Sequence, residues 1–558
     1  MKKMFCIFIT LLLVLLAVST VFAGGGGQAQ SSAPAAAGRY QRDPNLNAPG
    51  TFPINKTRVP LKIGVPQVPT VEDWETNWMT VQLETRGNYD LTFELYPVAE
   101  FDQKVQLMMM AGGDELPDVL WTNGNFNLGR LVTYGEAGLV LPLYIYYQNS
   151  AYYINEGLKE AEIDIMKYIT SYDGNVYGFP GILEYVSGEY SSNYLYFFAP
   201  WLKKLGLSVP GTITELENVL KAFKERDPNG NGIQDEIPMV SDSSYSLSNM
   251  LIALMNPFIY TQTDYWILDN GKIDVAFNKP QWREGLRYVK SLLDQGLISP
   301  LSYTQNATQM TAMTIAEPWT VGAFARISGT HLPAGSEIRL GFADGFGLPL
   351  AGPGRTNAFR NPILPTVKMI ITKNCKTPES AFMLGDFMCT EEMSIANRYG
   401  EKGVDWLVPG PEYRGFTESM GYPPTMVTAN VPGGAVYGTV HNKYYYSTGP
   451  HIISGKWGNG GSYLASEGDR DTGSNMLPYV KAADPNPIVG LIYNEQEQQV
   501  MNQYHSTIIN YVHESYVRFV MSDLSIDSDW DRYVAEFNRM GLADVIRVTQ
   551  SCYDRMNK

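Results

Sequence analysis

Between residues 227 and 238 the chain reads DPNGNGIQDEIP. Asp227, Asn229 and Asn231 alternate with small or rigid residues, Gly232 follows, and Asp235 and Glu236 close the run. Side-chain oxygens at the first, third and fifth places of one short loop can all turn inward. A Ca²⁺ ion takes roughly six to eight such hard oxygens at about 2.3–2.6 Å. Gly232 in the middle permits the sharp turn, and Ile233 can offer only its backbone carbonyl. An EF-hand would continue to a bidentate Glu at the twelfth place and then a second helix. Here Pro238 occupies that place, Glu236 comes earlier, and IPMV follows instead of a helix. The pattern therefore predicts a structural Ca²⁺ held by Asp227, Asn229, Asn231, Ile233, Asp235 and Glu236. It would lock a helix end to a strand, and a bare acidic turn is the alternative. Without a partner helix it is no sensor, and no substrate-activating metal is implied.

Other reactive constellations are sparse. The five histidines are His331, His441, His451, His505 and His513, and no HExxH occurs. There is no GxSxG elbow and no GxxxxGK[ST] phosphate loop. His505 and His513 stand eight apart on one expected helix, which suits a packed or solvated face better than a zinc pair. Glycosidases use paired carboxylates, but an acidic chain always contains candidates, so their presence decides nothing. No catalytic residue is nominated. A secreted polysaccharide-acting hydrolase or lyase is the rival class, and a sensory or adhesive binding protein a third.

Bulk properties narrow the partners. The 558 residues carry a formal net charge of −15, which argues against nucleic acid, whose affinity rests on Lys and Arg neutralising phosphates. The length suggests two or three domains. Tyr, at 36, is abundant enough to supply stacking surfaces for flat ligands as well as core rings. Lys2 and Lys3, the apolar run Met4–Phe22 and the small-residue junction at Ala23 read as a secretory signal peptide over 1–23. An uncleaved anchor is the alternative. Gly24 stands where a lipid-anchored protein would need Cys. Residues 24–56, rich in Gly, Ser, Ala, Gln and Pro, are expected to be a disordered linker. The mature chain keeps Cys375, Cys389 and Cys552, an odd set without metal spacing, expected as buried thiols.

The elements that must position any site alternate in type. VPLKIGVP and YDLTFELYPV read as strands, FDQKVQLMMMAGG as a helix ending before Gly113, and LPDVLWTN as a third strand. Such alternation implies βαβ units around a parallel sheet, with ligands beyond the strands' carboxyl ends. Asp118, Trp121 and Asn123 lie at or past such an end. Before the acidic loop, Leu216, Val219, Leu220 and Phe223 recur at helical spacing, and Thr214 with Glu217 is expected as the capping box. WILDNGKIDVAF predicts a hairpin turning at Asn270–Gly271, and the C-terminal block is helical.

Four stretches resemble family 1 extracellular solute-binding proteins of ABC importers, in the branch of the calcium-bearing alginate-oligosaccharide binding proteins. They are WLKKLGLSVPGTITELENVLKAFKERDPNGNGIQDEIP, GKIDVAFNKPQWREGLRYVKSLLDQGLISP, YGEKGVDWLVPG and DSDWDRYVAEFNRMGLADVIRVTQSCYDRMNK. The resemblance covers essentially the whole mature chain. It implies an α/β, two-lobed periplasmic-binding-protein fold, type II-like, with a hinge and an interlobe cleft. Lobe 1 would take 57–185 plus part of about 325–410. Lobe 2 would take 186–324, with the calcium loop, plus part of about 411–558. It implies a non-enzymatic, monomeric, periplasmic or otherwise extracytoplasmic protein that captures an oligosaccharide for the transmembrane subunits of an ABC permease. Relatives often carry Arg-Lys-Asp-Trp-Leu where this chain has Phe198-Ala199-Pro200-Trp201-Leu202. Loss of that basic pair, with the negative net charge, points to a neutral sugar rather than a uronate. Rings in expected loops or past strand ends are the candidates for stacking: Trp74, Trp78, Trp121, Tyr185, Tyr194, Trp319, Trp406 and Trp457, with Asn123 to hold hydroxyls.

Overall fold

A computed structural model describes residues 40–160, 164–184, 195–260, 263–326, 331–333, 336–347, 350–353, 364–428, 431–435, 439–467, 488 and 490–557. The expected signal peptide lies outside the described residues. The chain divides after Tyr40, and residues 41–558 carry the fold.

Among the described residues two large hydrophobic cores organise it, and a small third cluster joins Ile395, Trp406 and Met426. The first gathers apolar side chains from Leu46–Ile182 and Val367–Ile452. The second gathers those from Leu195–Leu350 and Ile488–Val548. Among the described residues the core membership therefore changes lobe three times: between Ile182 and Leu195, between Leu350 and Val367, and between Ile452 and Ile488.

Lobe 1 is built on a six-stranded sheet of β1 (Val59–Gln67), β2 (Tyr89–Pro97), β3 (Val119–Phe126), β4 (Phe179–Leu183), β10 (Thr366–Ile371) and β12 (His451–Ile453). Its order is β12-β4-β10-β3-β1-β2. β1 runs parallel to β2 and β3, and β4 parallel to β12. β10 is antiparallel to both its neighbours, so the sheet is mixed rather than all-parallel. The reason is topological. β10 enters from lobe 2 at the edge towards which β3 and β4 run, so it must run back. That edge holds the carboxyl ends of β1, β3, β4 and β12.

Lobe 2 contains the antiparallel sheet β8-β5-β9, with β5 (Leu195–Phe197), β8 (Ala323–Ala325) and β9 (Phe346–Gly347). Residues 237–242 run alongside as a further, parallel neighbour of β8: Ile237 bridges Val321 and Val240 bridges Phe324. Leu195, where the chain arrives from lobe 1, pairs with Ala325 and Gly347. The carboxyl ends of β8 and of segment 237–242 therefore share lobe 2's crossover edge. The hairpin of β6 (Trp266–Asp269) and β7 (Lys272–Val275) turns at Asn270 and Gly271, both at positive φ, as the sequence predicts.

Two expectations need correction. The linker does not extend to residue 56, because the described part, from Tyr40, packs on lobe 1. Leu46 and Ile54 are buried in its core, and the Asp43 N–H donates to Glu379 Oε2 at 2.7 Å. Asn55 is also buried: its Nδ2 donates to the Gly87 carbonyl, and its Oδ1 accepts from Ser380 Oγ. Two apolar anchors and these bonds offset the Gly/Pro-rich composition. The capping box lies two residues earlier than expected. The helix starts at Ile213, so Thr212 caps it: its Oγ1 accepts from Glu215 N–H at 3.1 Å, and Glu215 Oε2 accepts from Thr212 N–H. Thr214 falls inside the first turn, and Glu217 pairs instead with Lys221 at 2.6 Å.

Cys375, Cys389 and Cys552 are free and buried. Among the described residues no helix is long and apolar enough to cross a membrane.

Candidate ligand and metal sites

The helix Ile213–Glu225 buries Leu216, Val219, Leu220 and Phe223, which fixes where its C-terminus delivers the acidic loop. Asp227 turns the chain at φ 43°, and Gly230 and Gly232 follow at φ 79° and 75°. Asp227 Oδ1 accepts the N–H groups of Gly230 (2.9 Å) and Asn231 (3.1 Å), and Oδ2 accepts that of Gly232 (3.0 Å). Asn231 Oδ1 accepts from Ile233 N–H at 2.7 Å. Asn229 and Asn231 turn their amide nitrogens onto Asp235 at 2.9 and 3.0 Å. Lys204 Nζ donates to the carbonyls of Asp227 and Pro228.

Glu236 is the odd member. Both its carboxylate oxygens are shielded from water and make no well-formed hydrogen bond. Burial pushes its carboxyl above the ordinary range; the Asp227 and Asp235 charges add to this, and nearby backbone N–H groups of Glu236 and Asn229 offset only part. All six predicted ligands thus share one loop. Their acids do not gather on a single centre: among the described residues no three Asp, Glu, His or Cys side chains converge. The donor set leans on amide and carbonyl oxygens as much as on carboxylates.

The nominated aromatics fall into three groups. Trp74 and Trp121 are almost fully buried in lobe 1. Trp74 stacks on Tyr445 (centroids 4.9 Å, 18°), and Phe93 lies 5.5 Å from Trp74 and 6.0 Å from Trp121. Neither indole N–H has a protein acceptor. Their faces are covered by other rings, so they are core residues here. Trp406 and Trp457 form an edge-to-face pair at 5.8 Å. Trp406 is buried and donates to the Gly400 carbonyl at 3.2 Å, whereas Trp457 is half-buried, carries Lys456 Nζ 4.9 Å from its ring centre and finds no indole acceptor. Trp78 and Trp319 are also half-buried, the latter edge-on to Phe198. Trp78, Trp319 and Trp457 thus keep solvent-facing ring surface, and Trp457 follows the carboxyl end of β12. Tyr185 and Tyr194 lie outside the described residues.

Asn123 is exposed near the carboxyl end of β3. Lys368 Nζ binds its carbonyl and Asn125 Oδ1, both at 3.0 Å, and the Gly124 carbonyl. Burial lowers the Lys368 ammonium to about 8. At lobe 2's crossover edge stand two groups the sequence reading missed. Asp242 is fully buried, Arg326 is 8% exposed, and their Oδ2 and Nη2 are 3.5 Å apart. Asp242 follows Met239, Val240 and Ser241, and Arg326 follows Ala323, Phe324 and Ala325, but nothing local in the sequence pairs the two.

His505 and His513 each meet an aromatic side chain. His513 Nε2 meets Tyr265 Oη at 2.7 Å, and His505 stacks on Trp266.

A two-lobed α/β body with strand ends facing the crossovers is the architecture of a solute-binding protein, and the chain belongs to the bacterial extracellular solute-binding protein family, whose model matches residues 78–403. The family is one of binding proteins, so the hydrolase or lyase alternative is set aside. FusA, the fructooligosaccharide ABC transporter substrate-binding protein of Streptococcus pneumoniae serotype 4, is 24% identical over 528 residues, 90% of this chain and 92% of FusA. FusA solved with kestose shares the fold at TM-score 0.71 and 20% identity, over 89% of this chain and 99% of that one. An EF-hand mutant of FusA is solved with fructo-nystose. An extracellular solute-binding protein of Bifidobacterium longum subsp. infantis gives TM-score 0.72 at 20% identity, over 90% and 99%. The alginate-binding protein AlgQ2 gives 0.60 at 21%, over 91% and 100%.

Proposed function

We propose that this chain is the extracytoplasmic receptor of an ABC importer. It captures a neutral oligosaccharide between its lobes and passes it unaltered, as a monomer, to the transmembrane permease subunits. The observation that carries the reading is the family match to residues 78–403 on a fold whose two sheets turn their strand ends to the crossovers. FusA's fructooligosaccharides supply the ligand class. Neutrality is supported by charge: the net charge is −15, and the two cations noted at the crossover edges are already engaged, Lys368 by carbonyls and Arg326 by Asp242. Half-buried Trp457, Trp319 and Trp78 are the rings to stack on sugar faces.

A structural Ca²⁺ in loop 227–236 belongs to the same proposal. The donor chemistry fits: Glu236 lacks a counter-charge, and Asp227, Asp235, the Asn229 and Asn231 amide oxygens and the Ile233 carbonyl are all hard donors. The ion would neutralise the loop and staple the helix Ile213–Glu225 to segment 237–242. Delivery outside the membrane would use the signal peptide over 1–23, cleaved before Gly24.

Thermal melts against kestose and other neutral oligosaccharides test the reading. Stabilisation should follow RT ln(1 + [L]/Kd), about 2.7 kcal/mol at a hundredfold excess over Kd, with no new reducing ends. Release of reducing ends from the same sugars would overturn it.

A further inference from the structure

The Asp242–Arg326 pair does not look like a staple. Arg326 follows β8 and Asp242 ends the parallel segment beside it, so the two project from adjacent strand ends at the edge where Leu195 enters from lobe 1. Asp242 Oδ1 accepts from Ser244 N–H at 3.1 Å, but Oδ2 makes no hydrogen bond and meets the guanidinium only at 3.5 Å. A pair serving only stability closes to bidentate contact, because burial penalises both charges. This one buries an acceptor, Asp242 Oδ2, that has no hydrogen bond beside a guanidinium at a spacing slightly too wide for a direct one.

Adjacent hydroxyls of a sugar ring have the complementary character: each can donate to the carboxylate or accept from the guanidinium. We propose that Asp242 and Arg326 are specificity-determining residues that read a vicinal diol of the captured sugar. Asp242 Oδ2 accepts one O–H, and Arg326 donates to the neighbouring oxygen. The proposal rests on the oligosaccharide-receptor reading above and adds a substrate rule to it. A neutral diol satisfies both groups at once. A uronate at the same place sets its carboxylate against Asp242, and the guanidinium is already shared, so acidic sugars are rejected. Removal from water strengthens both hydrogen bonds.

The test uses the mature chain with maltotriose, raffinose and kestose as neutral probes and trigalacturonate as the acidic one, read by calorimetry and melting. Asp242→Asn should weaken the best neutral ligand by roughly ten- to hundredfold, as loss of a buried charged hydrogen bond does, and narrow its preference over trigalacturonate. A single variant can weaken binding simply by leaving a buried charge unpaired. The double variant Asp242→Asn with Arg326→Gln removes both charges, so its melting temperature should return towards that of the parent while affinity stays low. Recovery of both melting and affinity in the double variant would show a purely structural pair and overturn the proposal. So would an unchanged preference in Asp242→Asn. If the unaltered protein binds none of the sugars, the receptor reading itself fails and this inference falls with it.

Discussion

Segment 237–242 connects two buried carboxylates that solve the same problem in different ways. At its start Glu236 has neighbouring acids and no cation; at its end Asp242 faces the Arg326 guanidinium. Extended backbone separates them by on the order of 20 Å. One end lies beside the helix Ile213–Glu225, away from the crossovers, and the other lies at the crossover edge. The difference teaches where each device belongs. A carboxylate such as Glu236, with no side-chain cation of its own, suits the proposed mobile ion that would brace a wall. A carboxylate whose counter-charge is a side chain of the same protein can be offered to a ligand without exchanging ions.

The largest effect should come from breaking the second end alone. Arg326→Met leaves Asp242 buried and unpaired, a class of change that costs about 3–5 kcal/mol, seen as a marked drop in melting temperature. If melting hardly moves, Asp242 is not held as described. Next comes the first end. With Ca²⁺ a hundredfold above its Kd, chelation should remove about 2.7 kcal/mol while the order of preferred sugars stays the same. Asp227→Ala should melt at the chelated temperature with or without Ca²⁺. A chelator-sensitive Asp227→Ala protein would contradict the staple.

A third buried group sharpens the contrast by having no charge at all. His451 is buried in lobe 1's sheet with its Nδ1 at 2.9 Å from the Gly449 carbonyl. Burial pulls it down to about 3, with Lys368 and Arg398 adding to the effect. Its folded value lies below its unfolded one, so its contribution is complete above about pH 6.5 and is lost as pH falls. Between pH 6.5 and pH 5 that loss is about 2 kcal/mol, and His451→Gln should flatten this part of the melting profile. Asp386 works the other way. Burial lifts it to about 6 despite bonds from the N–H groups of Tyr152, Tyr153 and Ile154, so acidification through that range favours the fold there. The smallest effect is Thr212→Ala, about 1 kcal/mol for a lost cap. It should lower melting equally with and without chelator, which separates helix stability from ion binding.

Much of this was legible in the sequence because it is local. The turn of the 227–236 loop, the buried face of the helix before it and the Asn270–Gly271 turn each depend on neighbours within a few residues. What was not legible depends on chain returning from far away. β10 runs backwards because it re-enters from the other lobe. Trp74 and Trp121 are core rings because Tyr445 and Phe93 cover them. Residues 40–56 are ordered because Glu379 and Ser380, more than 300 positions later, receive them. The cap is a local miss of another kind: Thr212 and Glu215 carry the same capping-box spacing as Thr214 and Glu217, and the helix begins at the earlier pair. The Asp242–Arg326 pair spans 84 positions, and no local pattern joins them.

The central claim is capture of a neutral oligosaccharide by the crossover edges, with the acidic loop only bracing from afar. Calorimetric titration of the mature chain with a neutral sugar panel, in Ca²⁺ and again in chelator, tests it directly. One-to-one binding of a neutral member, with affinity held within about threefold between the two conditions, is the expected result. Affinity that vanishes with the ion, or sugar that emerges cleaved, would contradict it.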